Sequence, residues 1–107
     1  MFQLRHSGGL WRGSFSLFPE EGLAHGISTR LGGVSKPPFA ALNMALHVGD
    51  CAADVSENRR LFAEALGLDA ARIVTPRQVH GDEVRLVRAG DAGMGASCYD
   101  DSVPACD

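Results

Sequence analysis

Apolar and polar side chains alternate near the start of the chain, as they do in a β-strand with one buried face. Within residues 1–18, Phe15 and Leu17 alternate with serines. Pro19 ends the run, because proline cannot donate a backbone hydrogen bond to a neighbouring strand. Residues 20–22, with the sequence EEG, predict a turn. The start of the chain is therefore predicted to be a short β region.

Three further stretches have the composition of strands, namely residues 23–29, 73–79 and 83–87. A Gly-Asp pair between the last two predicts a turn. Residues 30–38, RLGGVSKPP, predict an irregular glycine-rich loop that two prolines extend. After residue 89 the chain shows little periodicity, which predicts a long loop or an unfinished element.

The clearest periodicity predicts a helix over residues 52–66. Asp54 and Glu57 predict an acidic variant of the capping box, and both charges suit the positive end of the helix dipole. Gly67 predicts a left-handed residue just after the helix. One helix among scattered strands, followed by a tail without a closing element, is typical of part of a domain. The apolar stripe of the helix consists of Val55, Leu61, Phe62, Ala65 and Leu66.

Composition and charge narrow the class of protein. The 107 residues allow one domain, and 45% hydrophobic with 21% charged residues is typical of a globular protein. A net charge of -3 without a basic stripe gives no reason to expect a nucleic-acid partner. The sequence lacks both a membrane-length apolar run and the apolar core of a signal peptide, so we expect no membrane partner and a cytoplasmic location.

The three cysteines, Cys51, Cys98 and Cys106, are an odd number, and none forms a C-x-x-C pair. This count argues against a disulfide framework and against a structural zinc site within the chain. We expect three reduced thiols, of which one or two are buried.

His80 is the most promising side chain for chemistry. It lies in the sequence QVHG, at the end of a predicted strand and before a glycine that allows close approach of another group. A neutral imidazole is both a good zinc ligand and a good general base. The alternative is a structural histidine hydrogen-bonded at a turn.

The glycine-rich loop is a second candidate, because backbone amides beside Gly32 and Gly33 can form an anion-binding nest. Arg30 adds a forked guanidinium that suits an oxyanion. The loop lacks the G-K-[ST] of a P-loop, so an ordinary turn is the alternative. Asn43 lies in an apolar run and needs hydrogen-bond partners if buried, from either backbone or substrate.

Several short motifs occur in one order and together resemble the N-terminal part of the YfiH family, also called the laccase-domain or multicopper polyphenol oxidase family. The resemblance covers about residues 24–107, and the last residues resemble the segment that leads to the family's DALVT stretch. The motifs are HGISTRLGGVS, ALNM, LHVGD, ENRR, ALGL and QVHG.

The resemblance implies a mixed α/β (α+β), YfiH-like fold, and a metal-dependent purine nucleoside phosphorylase that also deaminates adenosine. In the family, the metal is held by the QVHG histidine, by a later cysteine and by a second histidine. Here His80 alone matches, and the three cysteines do not stand in the family's cysteine motif. Zinc is the implied metal, with copper as the alternative. Arg30, Gly32, Gly33 and Asn43 are the implied contacts to nucleoside and phosphate.

Residues 1–107 are thus expected to be the N-terminal part of a single domain that is inactive alone. Arg77 departs from the asparagine that the resemblance leads us to expect before QVHG, at the entrance to the expected site. One alternative is a non-catalytic scaffold or interaction fragment. A copper-dependent polyphenol oxidase is the other, although four scattered histidines do not make a copper cluster. Self-association, or association with a missing C-terminal half, is expected if an apolar face is exposed.

Overall fold

A computed structural model describes residues 1–19 and 21–107 of the chain. The described residues form two compact units, Met1–Leu68 and Asp69–Asp107. The turn predicted at residues 20–22 falls partly on Glu20, which lies outside the described residues.

The first unit begins with a β-hairpin, which confirms the predicted β region. Strand β1 covers Phe2–Ser7 and pairs antiparallel with β2, Leu10–Phe15. The turn residues Gly8 and Gly9 have φ of 58° and 79°. Tight hairpin turns of type I′ need two positive φ values, which glycine adopts without strain.

The strand predicted over residues 23–29 is much shorter in the structure. Strand β3 covers Ile27–Ser28 and pairs antiparallel with β2, which gives the sheet order β1-β2-β3. The Thr29 hydroxyl donates a hydrogen bond of 2.9 Å to the carbonyl of Trp11. Because a side chain takes the place of the next backbone pair, the ladder ends at this residue.

The two faces of the hairpin differ in an unexpected way. Strand register places Phe2, Leu4 and Trp11 on one face, where they are 48%, 58% and 43% exposed. The opposite face carries Arg5 directly across from Arg12. The face with the large apolar side chains is therefore the more open one, as expected for a surface that another element or molecule covers.

Helix α1 covers Ala52–Ala65, close to the predicted bounds. Gly67 has a φ of 71°, and the amides of Gly67 and Leu68 donate to the carbonyls of Glu64 and Ala63. These two bonds make the Schellman motif that the sequence predicts at a helix end followed by glycine.

The predicted capping box is wrong. Cys51 is the N-cap residue and makes no side-chain cap, so Asp54 already lies inside the first turn. Glu57 is one turn further along and accepts hydrogen bonds from Arg60 instead of from a backbone amide. Only the charge of Asp54 near the positive helix end agrees with the prediction.

The apolar stripe of α1 is only partly buried. Val55 is fully buried, whereas Leu61, Phe62 and Leu66 are half-buried. The helix also buries Asn58 completely. A polar side chain thus occupies the position at which a core residue is expected, one turn after Val55.

The second unit contains short turns of 3-10 helix at Ala70–Arg72, Ala89–Asp91 and Tyr99–Asp101. The strands predicted at 73–79 and 83–87 are wrong, because the structure gives this unit a single parallel bridge, between Pro76 and Val103. Val84 and Leu86 are 86% and 78% exposed. Apolar alternation alone does not make a strand where no partner strand is within reach.

A small antiparallel sheet with one long helix confirms the mixed α/β class. Among the residues that the structure describes, no helix combines the length and the apolar character that crossing a membrane requires.

Candidate functional site

The glycine-rich loop is held against residues 40–42. The amides of Ala41 and Leu42 donate to the Arg30 carbonyl, at 2.9 and 3.0 Å. The Arg30 guanidinium donates to the carbonyl of Ala40, and the arginine is otherwise exposed. The amide of Ser35 donates to the Ala41 carbonyl at 2.9 Å. These bonds give the loop a fixed path.

The two glycines of the loop are required by packing. A β-carbon on Gly32, whose φ is 91°, would collide with the Gly9 carbonyl and with Leu10. One on Gly33 would collide with Ala41 and Leu42, and would lie 2.6 Å from Oδ1 of Asn58. Within the described part of the chain, the amides of Gly32 and Gly33 make no hydrogen bond, which leaves two donors for a ligand.

Asn58 fixes the loop from the helix side. Its Oδ1 accepts from the Val34 amide at 2.8 Å. Its Nδ2 donates to the Ser35 hydroxyl at 2.8 Å and to the Asn43 carbonyl at 2.7 Å. One buried amide therefore joins the loop, the Asn43 segment and helix α1, and all of its hydrogen bonds are internal.

Asp50 also joins Asn43 to the glycine-rich loop. The carboxylate of Asp50 accepts from the Ser35 hydroxyl at 2.6 Å, from the Asn43 side chain at 3.0 Å and from the Cys51 amide at 2.7 Å. The Ser35 hydroxyl, then the Asn43 amide and the Cys51 amide, lower the pKa of this carboxyl below its ordinary value. Asp50 is therefore a carboxylate at neutral pH.

The structure thus brings together four of the sequence-predicted residues, Arg30, Gly32, Gly33 and Asn43. The Asn43 side chain also exchanges hydrogen bonds with the backbone of Ala45. Because this amide is used internally, its direct effect is to shape the loop. Contact of these four residues with substrate stays a prediction.

His80 lies in the second unit and is exposed. Its φ is 57°, a left-handed conformation that is uncommon outside glycine. The amides of His80 and Gly81 donate to the two carboxylate oxygens of Asp107, at 3.1 and 2.6 Å. The Gly81 amide first, and then the His80 amide, lower the pKa of Asp107. A carboxylate therefore holds the turn while the imidazole faces solvent.

The donor set for a metal is incomplete in residues 1–19 and 21–107, where no group of three or more His, Cys, Asp or Glu side chains comes together. A catalytic zinc needs about three protein ligands. Both oxygens of Asp107, the carboxylate beside the His80 turn, already accept backbone amides. The described residues therefore do not fit a complete metal centre. The cysteines are free, with Cys106 buried and the other two exposed, as the sequence predicts.

Sequence reasoning missed Asn58, Asp50 and Asp107 as organising residues. Asn58 had a detectable signal, because it stands three residues after Val55 and four before Phe62, on the buried face of the helix. Asp50 and Asp107 had no local sequence signal, because their hydrogen-bond partners are up to 27 residues away in the chain.

Comparison with known proteins places the chain in a family. The family model described as multi-copper polyphenol oxidoreductase laccase matches residues 24–107. Purine nucleoside phosphorylase YlmD of Geobacillus stearothermophilus is 46% identical over 89 residues, which cover 83% of this chain and 32% of that protein. Its namesake in Bacillus subtilis is 40% identical over 82 residues, or 77% of this chain and 30% of that protein.

Solved structures agree. The crystal structure of YlmD from Geobacillus stearothermophilus matches this chain with a TM-score of 0.83. The two are 42% identical, and the match covers 99% of this chain and 38% of that one. The hypothetical protein YfiH of Bacillus licheniformis has a TM-score of 0.74 and 40% identity, over 77% of this chain and 31% of that one. These matches confirm the YfiH-like fold. The chain spans about a third of the length of these relatives, and it belongs to the multi-copper polyphenol oxidoreductase laccase family, also called the YfiH family.

Proposed function

We propose that the protein is a purine nucleoside phosphorylase and that residues 1–107 are the N-terminal part of its single domain. The observation that carries the proposal is the 46% identity to a protein named purine nucleoside phosphorylase YlmD. The partners that follow are a purine nucleoside and phosphate. We place the reaction in the cytoplasm, in keeping with these substrates.

In phosphorolysis, a phosphate oxygen bonds to C1′ of the ribose while the bond from C1′ to the purine nitrogen breaks. The bonding electrons pass to the purine, which takes up a proton, and the sugar leaves as ribose 1-phosphate. Such a reaction needs a site that holds phosphate and excludes misplaced water.

The glycine-rich loop supplies groups of the right kind for the phosphate. We assign the Gly32 and Gly33 amides and the exposed Arg30 guanidinium to oxyanion contacts, because amides and a forked cation both suit phosphate. Asn43 is assigned to the edge of the same subsite. Its internal bonds to Asp50 and Ala45 would keep its position constant.

His80 is assigned as one ligand of a resident metal, which we propose to be zinc, with copper as the alternative. When bound, such a metal supplies Lewis acidity. The other ligands would have to come from residues other than those described. The proposed role of this chain is to present the imidazole at a fixed turn, through the bonds from the His80 and Gly81 amides to Asp107.

The test uses full-length protein and measures ribose 1-phosphate formed from inosine with and without phosphate. We expect phosphate-dependent cleavage, and loss of both activity and retained zinc in His80→Ala. His6→Ala, a change in an exposed strand, is the matched control and should retain both. Unchanged zinc content in His80→Ala would remove this residue from the site.

Two further assays separate the finer parts of the proposal. Ammonia release from adenosine tests the proposed adenosine deaminase activity. Residues 1–107 expressed alone should show negligible turnover, because the described residues bring no complete set of metal ligands together. Robust turnover by that fragment contradicts its proposed dependence on further residues. Oxidation of a phenol with copper, in the absence of phosphorolysis, would favour the polyphenol oxidase alternative.

A further inference from the structure

Residues 82–88 of the second unit, called here the open segment, run without a turn or a bend, and all of them are exposed. Among the described residues, the backbone groups of residues 84–87 have no hydrogen-bond partner. Val84, Leu86 and Val87 are 86%, 78% and 47% exposed. An extended segment with free backbone groups and several apolar side chains is a template for pairing with another strand, and native proteins seldom leave one uncovered.

The last residues of the chain already run parallel to the stretch that precedes the His80 turn. The Val103 amide donates to the Thr75 carbonyl at 3.0 Å, and the Val103 carbonyl accepts from the Arg77 amide at 2.8 Å. Val103 therefore binds the two residues on either side of Pro76, its partner in the bridge. This is the hydrogen-bond pattern of a parallel pair.

Asp107 repeats the first half of that pattern at the open segment. Its amide donates to the Glu83 carbonyl at 3.2 Å. Within the described part of the chain, the Glu83 amide does not donate back to Asp107. An antiparallel hydrogen-bonded pair exchanges both bonds, so the single bond fits a parallel pair in which Asp107 lies opposite Val84.

The His80 turn accounts for the different lengths of the two paired stretches. The chain advances four residues from Val103 to Asp107 but eight from Pro76 to Val84. The additional residues form the turn, which the Asp107 carboxylate holds through two backbone amides. Polypeptide that follows Asp107 in the same direction would therefore continue alongside the open segment.

From these observations we infer that the open segment is a β-strand of the full-length protein and that its partner is the polypeptide directly after Asp107, paired in parallel. The inference rests on one part of the proposed function, namely that residues 1–107 are the N-terminal part of a longer domain. The relatives contain polypeptide for this role, because the chain covers only 32% of the Geobacillus stearothermophilus protein.

The observed bond from Asp107 to Glu83 fixes the expected register. The Arg85 amide donates to the Asp107 carbonyl, and the Val87 amide donates to the carbonyl two residues further on. The His80 turn then lies between two paired stretches, one before it and one after it. Pairing on both sides would hold the backbone of the proposed metal ligand in place.

The test is amide hydrogen exchange of the full-length protein, measured by NMR. We expect the Arg85 and Val87 amides to exchange about 100-fold more slowly than amides of an unstructured peptide, because both are ladder donors. The amide of Gly90, an exposed residue beyond the open segment, is the internal reference and should show no such protection.

Nuclear Overhauser contacts identify the partner. They should connect the Arg85 and Val87 amides with the residues directly after Asp107. Unprotected amides, or contacts with any other part of the protein, overturn the inference. Protection that increases with protein concentration also overturns it, because a second copy would then be the partner.

A substitution gives an independent check. Val87→Pro removes one proposed donor and should lower the thermal midpoint of the full-length protein by about 5 °C. Ala89→Pro is the matched control, because Ala89 begins a turn of 3-10 helix and Arg88 before it is already extended. It should change the midpoint by less than about 1 °C. Equal midpoints of the two variants would contradict the ladder, and if Val87→Pro does not fold, exchange in the unmodified protein decides.

The exchange measurement also separates this inference from the proposed function. Phosphorolysis of inosine by protein whose Arg85 and Val87 amides are unprotected would refute the strand pairing alone. Protected amides in full-length protein that does not cleave inosine would refute the proposed function alone.

Discussion

The loop around Asn58 and the turn at His80 are both held by hydrogen bonds to a polar side chain, yet they differ in what they leave unused. In the loop, Asn58 is fully buried and its bonds are all internal. At the turn, the Asp107 carboxylate binds only the backbone, and the His80 imidazole remains exposed. The first arrangement secures the fold, whereas the second fixes a backbone turn and leaves the imidazole exposed to solvent.

The two regions should therefore respond differently to substitution. A residue whose polar groups are all satisfied inside contributes to a fixed backbone path, and its loss is measured as unfolding. A residue whose backbone is fixed while its side chain stays open can be changed with little effect on the fold. The following predictions compare the two regions, beginning with the largest effect.

Asn58→Ala should cause the largest loss of stability, about 3 kcal/mol in the free energy of unfolding. It removes three hydrogen bonds at once and leaves the Val34 amide without its acceptor. Urea unfolding measures the loss. Glu64→Ala on the exposed face of the same helix is the control and should change stability by less than about 0.5 kcal/mol. A similar loss in both variants would mean that Asn58 does not organise the loop.

Gly33→Ala should destabilise by about 2 kcal/mol, because its methyl group meets the Ala41 and Leu42 backbone. Gly90→Ala is a matched control, since a β-carbon there meets no atom within 4 Å. Thermal unfolding of both variants measures the contrast. If Gly33→Ala is as stable as Gly90→Ala, the loop is less closely packed than the structure indicates.

Asp107→Ala should act locally. It removes the acceptor for the His80 and Gly81 amides, so their hydrogen exchange should become about tenfold faster while the first unit keeps its protection. Asp107→Asn keeps one acceptor oxygen and should give a smaller change. Asp82→Ala, at an exposed acidic residue of the same turn, is the control. Equal exchange in Asp107→Ala and Asp82→Ala would show that another group holds the turn.

The smallest effect is expected for the acid dependence of stability that Asp50 contributes. The pKa of Asp50 is lower in the folded protein than its ordinary value, so its contribution to stability is full at neutral pH. That contribution is lost as the pH falls below the ordinary carboxyl value of 3.8 and through the folded pKa. Asp50→Asn should therefore show a weaker decline in stability over this acid range. Identical pH profiles would contradict a role for the carboxylate.

Local sequence signals predicted helix α1 and a β region at the start of the chain, but not the short extent of β3. The α1 periodicity and Gly67 gave the helix and its end, because these depend on residues within one or two turns. The strand predictions at 73–79 and 83–87 failed for the opposite reason. A strand exists only with a partner, and the pattern of one segment does not show whether a partner is near.

The candidate site was predicted less completely. The family motifs pointed to Arg30, Gly32, Gly33, Asn43 and His80 as site residues, which stays a prediction. The structure brings the first four into one loop region, in which Asn58 contacts the Gly33 and Asn43 segments. The motifs did not indicate that the Asn43 side chain donates hydrogen bonds to Asp50 and Ala45. Roles of this kind depend on which donors and acceptors remain unpaired after folding.

The sequence by itself determined the helix, the presence of a β region at the start of the chain and the family, because periodicity and ordered motifs are properties of neighbouring residues. Tertiary structure alone decided that Asn58 is buried, that Asp107 holds the His80 turn and that the Asp107 amide lies at the start of the open segment. Each of these depends on contacts between segments far apart in the chain. Those long-range contacts decide which polar groups find hydrogen-bond partners and which are buried, and a local sequence pattern does not show them.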